Sequence, residues 1–133
     1  MPVDYAQALD EYVRFAEQGD AQAQCNLGVM YGLGLGVGQS YTKAMGWYAE
    51  AARRGSAKAQ ANLGWMYGTG RGTPQDYTSA YAWYSVAAAD GEDTARYNRD
   101  LLAERMTPSQ LERAQEAAKD LVRKIAANEG QLI

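Results

Sequence analysis

The sequence contains no histidine, and this absence limits the chemistry open to the chain more than any other feature. Without an imidazole the chain cannot form a Ser-His-Asp or Cys-His catalytic arrangement, or a zinc site that needs a histidine ligand. The carboxylates are dispersed and do not form the spaced cluster that a glycosidase or a metal site requires. The sequence therefore predicts a protein that is not an enzyme and uses neither a metal ion nor a cofactor.

Cysteine and phenylalanine occur only once each, and β-branched residues are few. The single cysteine, Cys25, cannot form an intramolecular disulfide, so cysteine usage does not identify the redox compartment. Alanine and tyrosine are abundant instead, and this composition favours helices over strands. We expect an all-α protein.

No long run of one charge and no long apolar run occurs in the sequence. The net charge of -3 and the lack of a basic patch give no reason to expect nucleic acid as a partner. No apolar run approaches the length of a membrane span, so membrane insertion is not predicted. The N-terminus has no basic region followed by an apolar region, as a signal peptide would. As written, the chain is expected in the cytoplasm; it would be periplasmic or exported if Met1 replaces a removed signal peptide.

The sequence does contain an internal repeat, which becomes visible when the segment 21–55 is aligned with the segment 57–91. The two segments are offset by 36 positions and align without a gap. The aligned identities include Gln24/Gln60, Asn26/Asn62, Leu27/Leu63, Gly28/Gly64, Tyr31/Tyr67, Tyr41/Tyr77, Ala44/Ala80, Trp47/Trp83 and Tyr48/Tyr84. The pattern continues weakly at both ends, as it does in chains that end in divergent capping repeats. We therefore predict one repeat domain over 1–133, with a half-repeat at 1–19, repeats at 20–55 and 56–91, and capping helices at 92–133.

Each repeat has the pattern of two helices joined by a glycine-rich turn. Seven helices are expected, at about 4–18, 20–32, 40–54, 56–68, 76–90, 92–105 and 108–128. Gly19, Gly55 and Gly91 fit left-handed stops after the second helices. Stacked antiparallel pairs of this kind form an α-solenoid, here a right-handed superhelical arc.

Gly28 and Gly64 fall in the middle of predicted helices, where glycine costs about 1 kcal/mol relative to alanine. We expect a close approach of the partner helix to compensate, through the small residues Ala44, Ala51 and Ala52. The aromatic residues that recur in register are interpreted as the core between helices. They are Tyr31, Trp47, Tyr48, Tyr67, Trp83 and Tyr84.

The two turns differ in sequence just before the second helix of each repeat. In repeat two, Thr73 is placed at the cap, Pro74 at the first helical position and Asp76 in the first turn. Repeat one has Gly38 and Ser40 in place of the proline and the acid. The first turn is therefore expected to be the looser of the two.

These residues resemble a known family. The pattern AQAQxNLGxMYGxGxG, followed by a tyrosine-led helix with A-x-x-WY and then AAxxG, is similar to the Sel-one-like repeat family, which is related to tetratricopeptide repeats. The ending Met106–Leu111 is similar to the terminal helix of small bacterial members. The resemblance covers nearly the whole chain and implies an α-solenoid that serves as an adaptor or scaffold. Because the family shares no single partner, the resemblance implies a class of function only.

Trp65 is the residue that best fits a binding site. Its repeat mate is Val29, so the repeat core does not require a tryptophan there. An exposed tryptophan among small and apolar residues is typical of an interface hot spot. The predicted partner-binding row on the concave face is Cys25, Val29, Leu33, Ala61, Trp65, Thr69 and Tyr97. Two alternatives remain open: Trp65 packs beneath the terminal helix, and Cys25 is a small buried hydrophobic residue, which free cysteines usually are.

The leading functional prediction is a protein-interaction module that holds a peptide or protein segment on the concave face. The alternative is self-association as a homodimer through the first helix, because Leu9 and Val13 have no preceding helix to cover them. A weaker alternative is a cell-wall hydrolase, which no residue constellation supports. The apolar stripe of the last helix is read as a lid over the end of the solenoid, or as a second docking surface near Leu121 and Ile125.

Overall fold

The computed structural model describes residues 4–128 and 132–133, and over these residues the chain forms seven helices and no strand. The helices are α1 (Tyr5–Glu17), α2 (Ala21–Leu33), α3 (Tyr41–Arg53), α4 (Ala57–Thr69), α5 (Tyr77–Ala89), α6 (Asp93–Ala103) and α7 (Pro108–Ala127). The all-α prediction and the number of helices are confirmed, and the bounds agree with the predicted ones to within two residues.

Side-chain caps define where most of the helices begin. The cap residue accepts a hydrogen bond from the backbone N–H three positions later, which satisfies one of the free donors of the first turn. This holds for Asp4, Asp20, Ser40, Ser56, Asp76 and Thr107. The predicted cap at Thr73 is wrong, because Asp76 caps α5 and Pro74 lies before the helix. At α7 the predicted pattern is confirmed, with Thr107 and Gln110 forming a capping box.

The helices that end each repeat unit stop at glycines in the left-handed conformation, as predicted. The φ angles of Gly19, Gly55 and Gly91 are 92°, 91° and 98°. After each glycine the next backbone N–H donates to the carbonyl five residues earlier, for example from Ser56 to Ala51 at 3.0 Å. This pattern satisfies carbonyls that the helix end leaves free.

The two glycine-rich turns share one hydrogen-bond framework. Gln39 Nε2 donates to the carbonyl of Gly32 at 2.8 Å, and Gln75 Nε2 donates to that of Gly68 at 2.9 Å. Ser40 also caps its helix by accepting from Lys43, as Asp76 does from Ser79. Both turns therefore have a cap. They differ in glycine against proline at positions 38 and 74, and in a second bond that Asp76 accepts from the Ser79 hydroxyl at 2.8 Å.

The mid-helix glycines do mark close contacts, but the contacting residues differ from the predicted ones. An added β-carbon at Gly28 would meet the ring of Tyr48, and one at Gly64 would lie 2.7 Å from Cδ1 of Tyr84. The small alanines are not the residues that come closest. The aromatic ring occupies the space that a β-carbon would otherwise fill.

Successive units stack with their first helices on the inner side of the arc. Helix α2 contacts α4, and α4 contacts α6, whereas α1 with α3 and α3 with α5 make at most marginal contact over the described residues. The side on which neighbouring units come closest is the concave side, so α2, α4 and α6 line it. One glycine of each turn allows this stacking, because a side chain there would meet the preceding unit. Gly36 lies against the backbone of Tyr5, and Gly72 lies against Tyr41.

Helix α7 departs from the repeat and packs along α5. Its residues Leu121 and Ile125, together with Leu132, join the core cluster that contains Trp83. Trp83 is accordingly 1% exposed, whereas its repeat mate Trp47 is only half-buried. The interpretation of α7 as a lid agrees with this packing, and so does the assignment of the recurring aromatic residues to the core.

At the other end of the solenoid, α1 packs on α2 through Leu9 and Val13. Among the described residues no helix precedes α1, but Leu9 and Val13 are half-buried against Ala16, Ala23 and Leu27, so they are partly covered by the following helix. They point toward the following helix because α1 takes the place of a second helix. The exposed apolar residues of α1 are instead Tyr5 and Phe15.

Candidate partner-binding groove on the concave face

A groove of about 220 Å³ runs between α2 and α4 on the concave face. The first helices contribute one wall each, and the preceding second helix, α3, forms the floor. The lining residues are Val29, Gly32, Leu33, Tyr41, Ala44, Tyr48, Asn62, Trp65 and Met66. None of these side chains is charged. The groove can therefore hold an apolar group, with hydrogen-bonding capacity from Asn62 and the tyrosine hydroxyls.

Trp65 stands at the rim of this groove. It is 43% exposed, and Leu33 across the groove is 65% exposed. The Cζ atom of Arg71, from the turn after α4, lies 4.8 Å from the centroid of the Trp65 ring, within the range of a cation–π contact. The Thr69 hydroxyl donates to the carbonyl of Trp65 at 2.8 Å. Trp65 does not pack beneath the terminal helix, which contacts α5.

The groove is one member of a series that follows the repeat. A shallower groove one unit earlier is lined by residues 36 positions before those of the main groove, namely Tyr5, Ala8, Tyr12, Asn26, Val29 and Met30. One unit later, the equivalent residues Asn98, Leu101 and Leu102 line a pocket with Glu104 and Arg105, without residues of α5. The residue equivalent to Trp65 is Val29 in the preceding unit and Leu101 in the following unit. Only the middle unit carries an aromatic ring at the rim.

The structure gathers some of the predicted site residues and separates others. Val29, Leu33 and Trp65 line the same groove. Thr69 is exposed next to Trp65, and Tyr97 is 65% exposed on α6 but outside the groove. Ala61 is half-buried against the cluster around Tyr84, so it faces the neighbouring helices.

Cys25 is 1% exposed and belongs to the core, as its alternative interpretation proposed. Burial raises the pKa of its thiol, and a hydrogen bond with Ser56 and the charge of Lys58 oppose this rise only in part. A buried thiol with a raised pKa is a poor nucleophile. Cys25 is therefore a packing residue and is not accessible to a partner.

Three residues outside the predicted row bear most on the polar character of the site: Tyr41 and Asn62 line the groove, and Arg71 lies over the Trp65 ring. Tyr41 was assigned to the helix pattern alone, although it lies in the groove. Asn62 carries a signal that could have found it, because Asn26, Asn62 and Asn98 recur at the repeat spacing. Arg71 could have been found by the comparison that identified Trp65, because its repeat mate is the uncharged Leu35.

Within residues 4–128 and 132–133, no group of three or more histidine, cysteine or acidic side chains is placed to hold a metal ion. None of the helices in this part of the chain is both long and apolar enough to cross a membrane.

The Sel1 repeat family matches residues 21–56 and 57–92 of this chain. These two matches cover more than half of the sequence, and the chain belongs to the Sel1 repeat family. The resemblance stated from the motifs is confirmed, and the matched repeats begin one residue after the predicted boundaries. Proteins with this fold generally serve as interaction modules. No protein of curated function matches the chain.

Two solved structures are similar to this chain over most of its length. One is c5321, a protective antigen of uropathogenic Escherichia coli strains with an SLR fold, at 31% identity and a TM-score of 0.88 over 92% of this chain. The other is a Sel1 repeat protein from Oxalobacter formigenes, at 38% identity and a TM-score of 0.69 over 72% of this chain. The chain spans only 27% and 40% of those two proteins.

Proposed function

We propose that this chain is a protein-interaction module that binds a peptide or protein segment along its concave face, with Trp65 as the central anchor. The observation that carries the proposal is that Trp65 is 43% exposed beside an apolar groove. The repeat accepts Val29 at the equivalent position, so stacking does not require the large ring. Interfaces concentrate their binding energy in aromatic anchors of this kind.

A random linear-peptide display selection against the purified protein tests the proposal. We expect enriched peptides whose binding is weakened in Trp65→Val, which restores the repeat-one residue. Loss of a hot-spot tryptophan commonly costs about 2 kcal/mol or more, equivalent to roughly 30-fold in Kd. Titration calorimetry on an enriched peptide gives that ratio.

A matched variant separates binding from folding. Trp65→Val should leave the thermal midpoint within a few degrees, because the side chain lies at the surface. Trp83→Val, at a position that is 1% exposed, should lower stability by about 3 kcal/mol or more. Unchanged peptide affinity in Trp65→Val, or the absence of any enriched peptide, would argue against the proposed groove.

Self-association is the second candidate function, and one observation favours it. Helix α1 packs on α2 and leaves Phe15 50% exposed and Tyr5 41% exposed at the end of the solenoid. Sedimentation equilibrium of the wild type and of Phe15→Glu tests this candidate. A dimer that dissociates in the variant would support it, whereas a monomeric wild type at high concentration would exclude it.

A further inference from the structure

The pair formed by Trp65 and Arg71 has no counterpart in the preceding repeat. The equivalent residues there are Val29 and Leu35, both apolar and uncharged. Both positions therefore differ between two units that share their fold, and in the second unit the guanidinium lies 4.8 Å from the indole centroid. Because repeat one forms without this pair, stacking of the units does not explain it.

Arg71 is exposed and has no carboxylate partner among the described residues. None of the salt bridges among the described residues involves it. A guanidinium that stacks on an aromatic ring keeps its N–H edge free, and this edge matches the geometry of a carboxylate. The stacking also restricts the long side chain beforehand, which lowers the entropic cost of binding.

The two helices that form the walls of the groove carry one positive charge and no negative charge. Helix α2 has no charged residue, and α4 has only Lys58, seven positions before Trp65 and thus on the same face. The chain as a whole carries a net charge of -3, so the cationic rim contrasts with the rest of the molecule. Such a local excess of one sign favours a ligand of the opposite sign.

The groove itself limits what can enter beside this charge. Its volume of about 220 Å³ lies below the roughly 300–1,000 Å³ of small-molecule sites. It is open, uncharged and bounded by Leu33 and Trp65, which suits a single apolar side chain of an extended segment. Asn62 on the wall and Tyr41 on the floor line the groove, and both side chains have the polar groups to hydrogen-bond the backbone of that segment.

We propose that the groove recognises an acidic-apolar peptide motif, in which an apolar side chain enters between Leu33 and Trp65 and a neighbouring Asp or Glu pairs with Arg71. This assignment deepens the proposed function and depends on it. The occupant of the groove is then an anionic peptide segment.

The composition of the peptides enriched in the display selection distinguishes this inference from the proposed function. We expect an apolar residue within two positions of an aspartate or glutamate. Enriched peptides that depend on Trp65 but show no acidic preference would overturn this inference and leave the proposed function intact. A selection with no enriched peptide would remove both, and a preference for basic residues would overturn the assignment of the occupant.

Charge variants give the quantitative test on an enriched acidic peptide and on its Glu→Gln counterpart. Arg71→Leu, which restores the repeat-one residue, should weaken the acidic peptide by about fivefold and leave its glutamine counterpart unchanged. Arg71→Glu should weaken the acidic peptide further and favour a basic variant of it. Arg113→Glu on the exposed side of α7 makes the same charge change away from the groove and should have little effect. Equal loss for the acidic and glutamine peptides in Arg71→Leu would overturn the ion pair.

Discussion

The ring of Tyr84 lies directly on the backbone of Gly64, so that a β-carbon at this glycine would sit 2.7 Å from Cδ1 of the ring. Both residues are buried. Gly64→Ala should therefore destabilise the protein by about 1–3 kcal/mol through overpacking, despite the better helix propensity of alanine. Urea denaturation measures the change in the free energy of unfolding.

Gly46 offers the matched control for this prediction. It also lies inside a helix, α3, but an added β-carbon would meet nothing within 4 Å. Gly46→Ala should stabilise the protein by about 0.5–1 kcal/mol, since only the helix propensity changes. If both substitutions have the same sign, the contact with Tyr84 is not what requires glycine at position 64.

Gly38→Pro should stabilise the protein by about 0.4–1 kcal/mol. The structure shows open space at Gly38, and the equivalent position in the second turn is Pro74 within the same hydrogen-bond framework. Proline acts here by reducing the freedom of the unfolded chain. Ser40→Asp should change stability by only a few tenths of a kcal/mol, because serine already caps α3 and the two residues cap about equally well. A lower melting temperature in Gly38→Pro would show that the two turns differ in backbone conformation.

Gln60 is 0% exposed, and only one of its two side-chain amide atoms forms a hydrogen bond within the described residues. Nε2 donates to the carbonyl of Ala52 at 3.2 Å, whereas Oε1 has no hydrogen-bond partner among the described residues. The Ala52 carbonyl also accepts from Gly55, so it keeps a partner without Gln60. Gln60→Met should stay within about 1 kcal/mol of the wild type, because an apolar side chain of similar shape removes the unpaired oxygen.

The matched variant for this site is Gln60→Ala, which should lower stability by about 2 kcal/mol or more by leaving a cavity. A loss in Gln60→Met as large as that in Gln60→Ala would show that the amide, and not the volume of the side chain, stabilises the fold. Chemical denaturation of the two variants side by side gives the comparison.

Alkaline pH should destabilise the protein through its buried tyrosines. Burial raises the pKa of Tyr84 to about 12 and raises that of Tyr48 as well, with the neighbouring Cys25 adding to the shift at Tyr48. Above pH 10 the unfolded chain loses these protons first, so stability that is complete below pH 10 should fall as the pH rises toward 12. Tyr84→Phe should flatten this decline, as measured by urea denaturation from pH 8 to 11.5. An equal slope in the variant would contradict the assignment to Tyr84.

The helices and their stops could be predicted from the sequence because local signals determine them. The 36-residue repeat, the cap residues and Gly19, Gly55 and Gly91 identify seven helices without any tertiary information. The cap of α5 was misplaced because Thr73 and Asp76 are both good cap residues. Which of the two caps depends on where the preceding turn returns the chain, and the bond from Asp76 N to the Tyr67 carbonyl determines that.

The candidate site was predicted in part. Comparison between repeats identified Trp65, because a difference at one position against a constant background is visible in a single sequence. It misplaced Cys25 and Ala61, because a row along one helix does not show which residues the neighbouring helices cover. Cys25 lies in a core cluster with residues of α3 from its own unit and of α4 from the next unit, and only the stacking of the two units brings α4 to it.

The sequence by itself determined the repeat, its helices and the positions where glycine is required. The tertiary structure alone decided which side chain meets each glycine and which helix α7 covers. It also placed Arg71 against Trp65. The physical reason is the range of the interactions. Helix propensity, capping and turn conformation depend on residues a few positions apart, so they can be predicted from the order of the residues. Burial and ring contacts arise between residues brought together by packing, which a single sequence does not encode in its spacing.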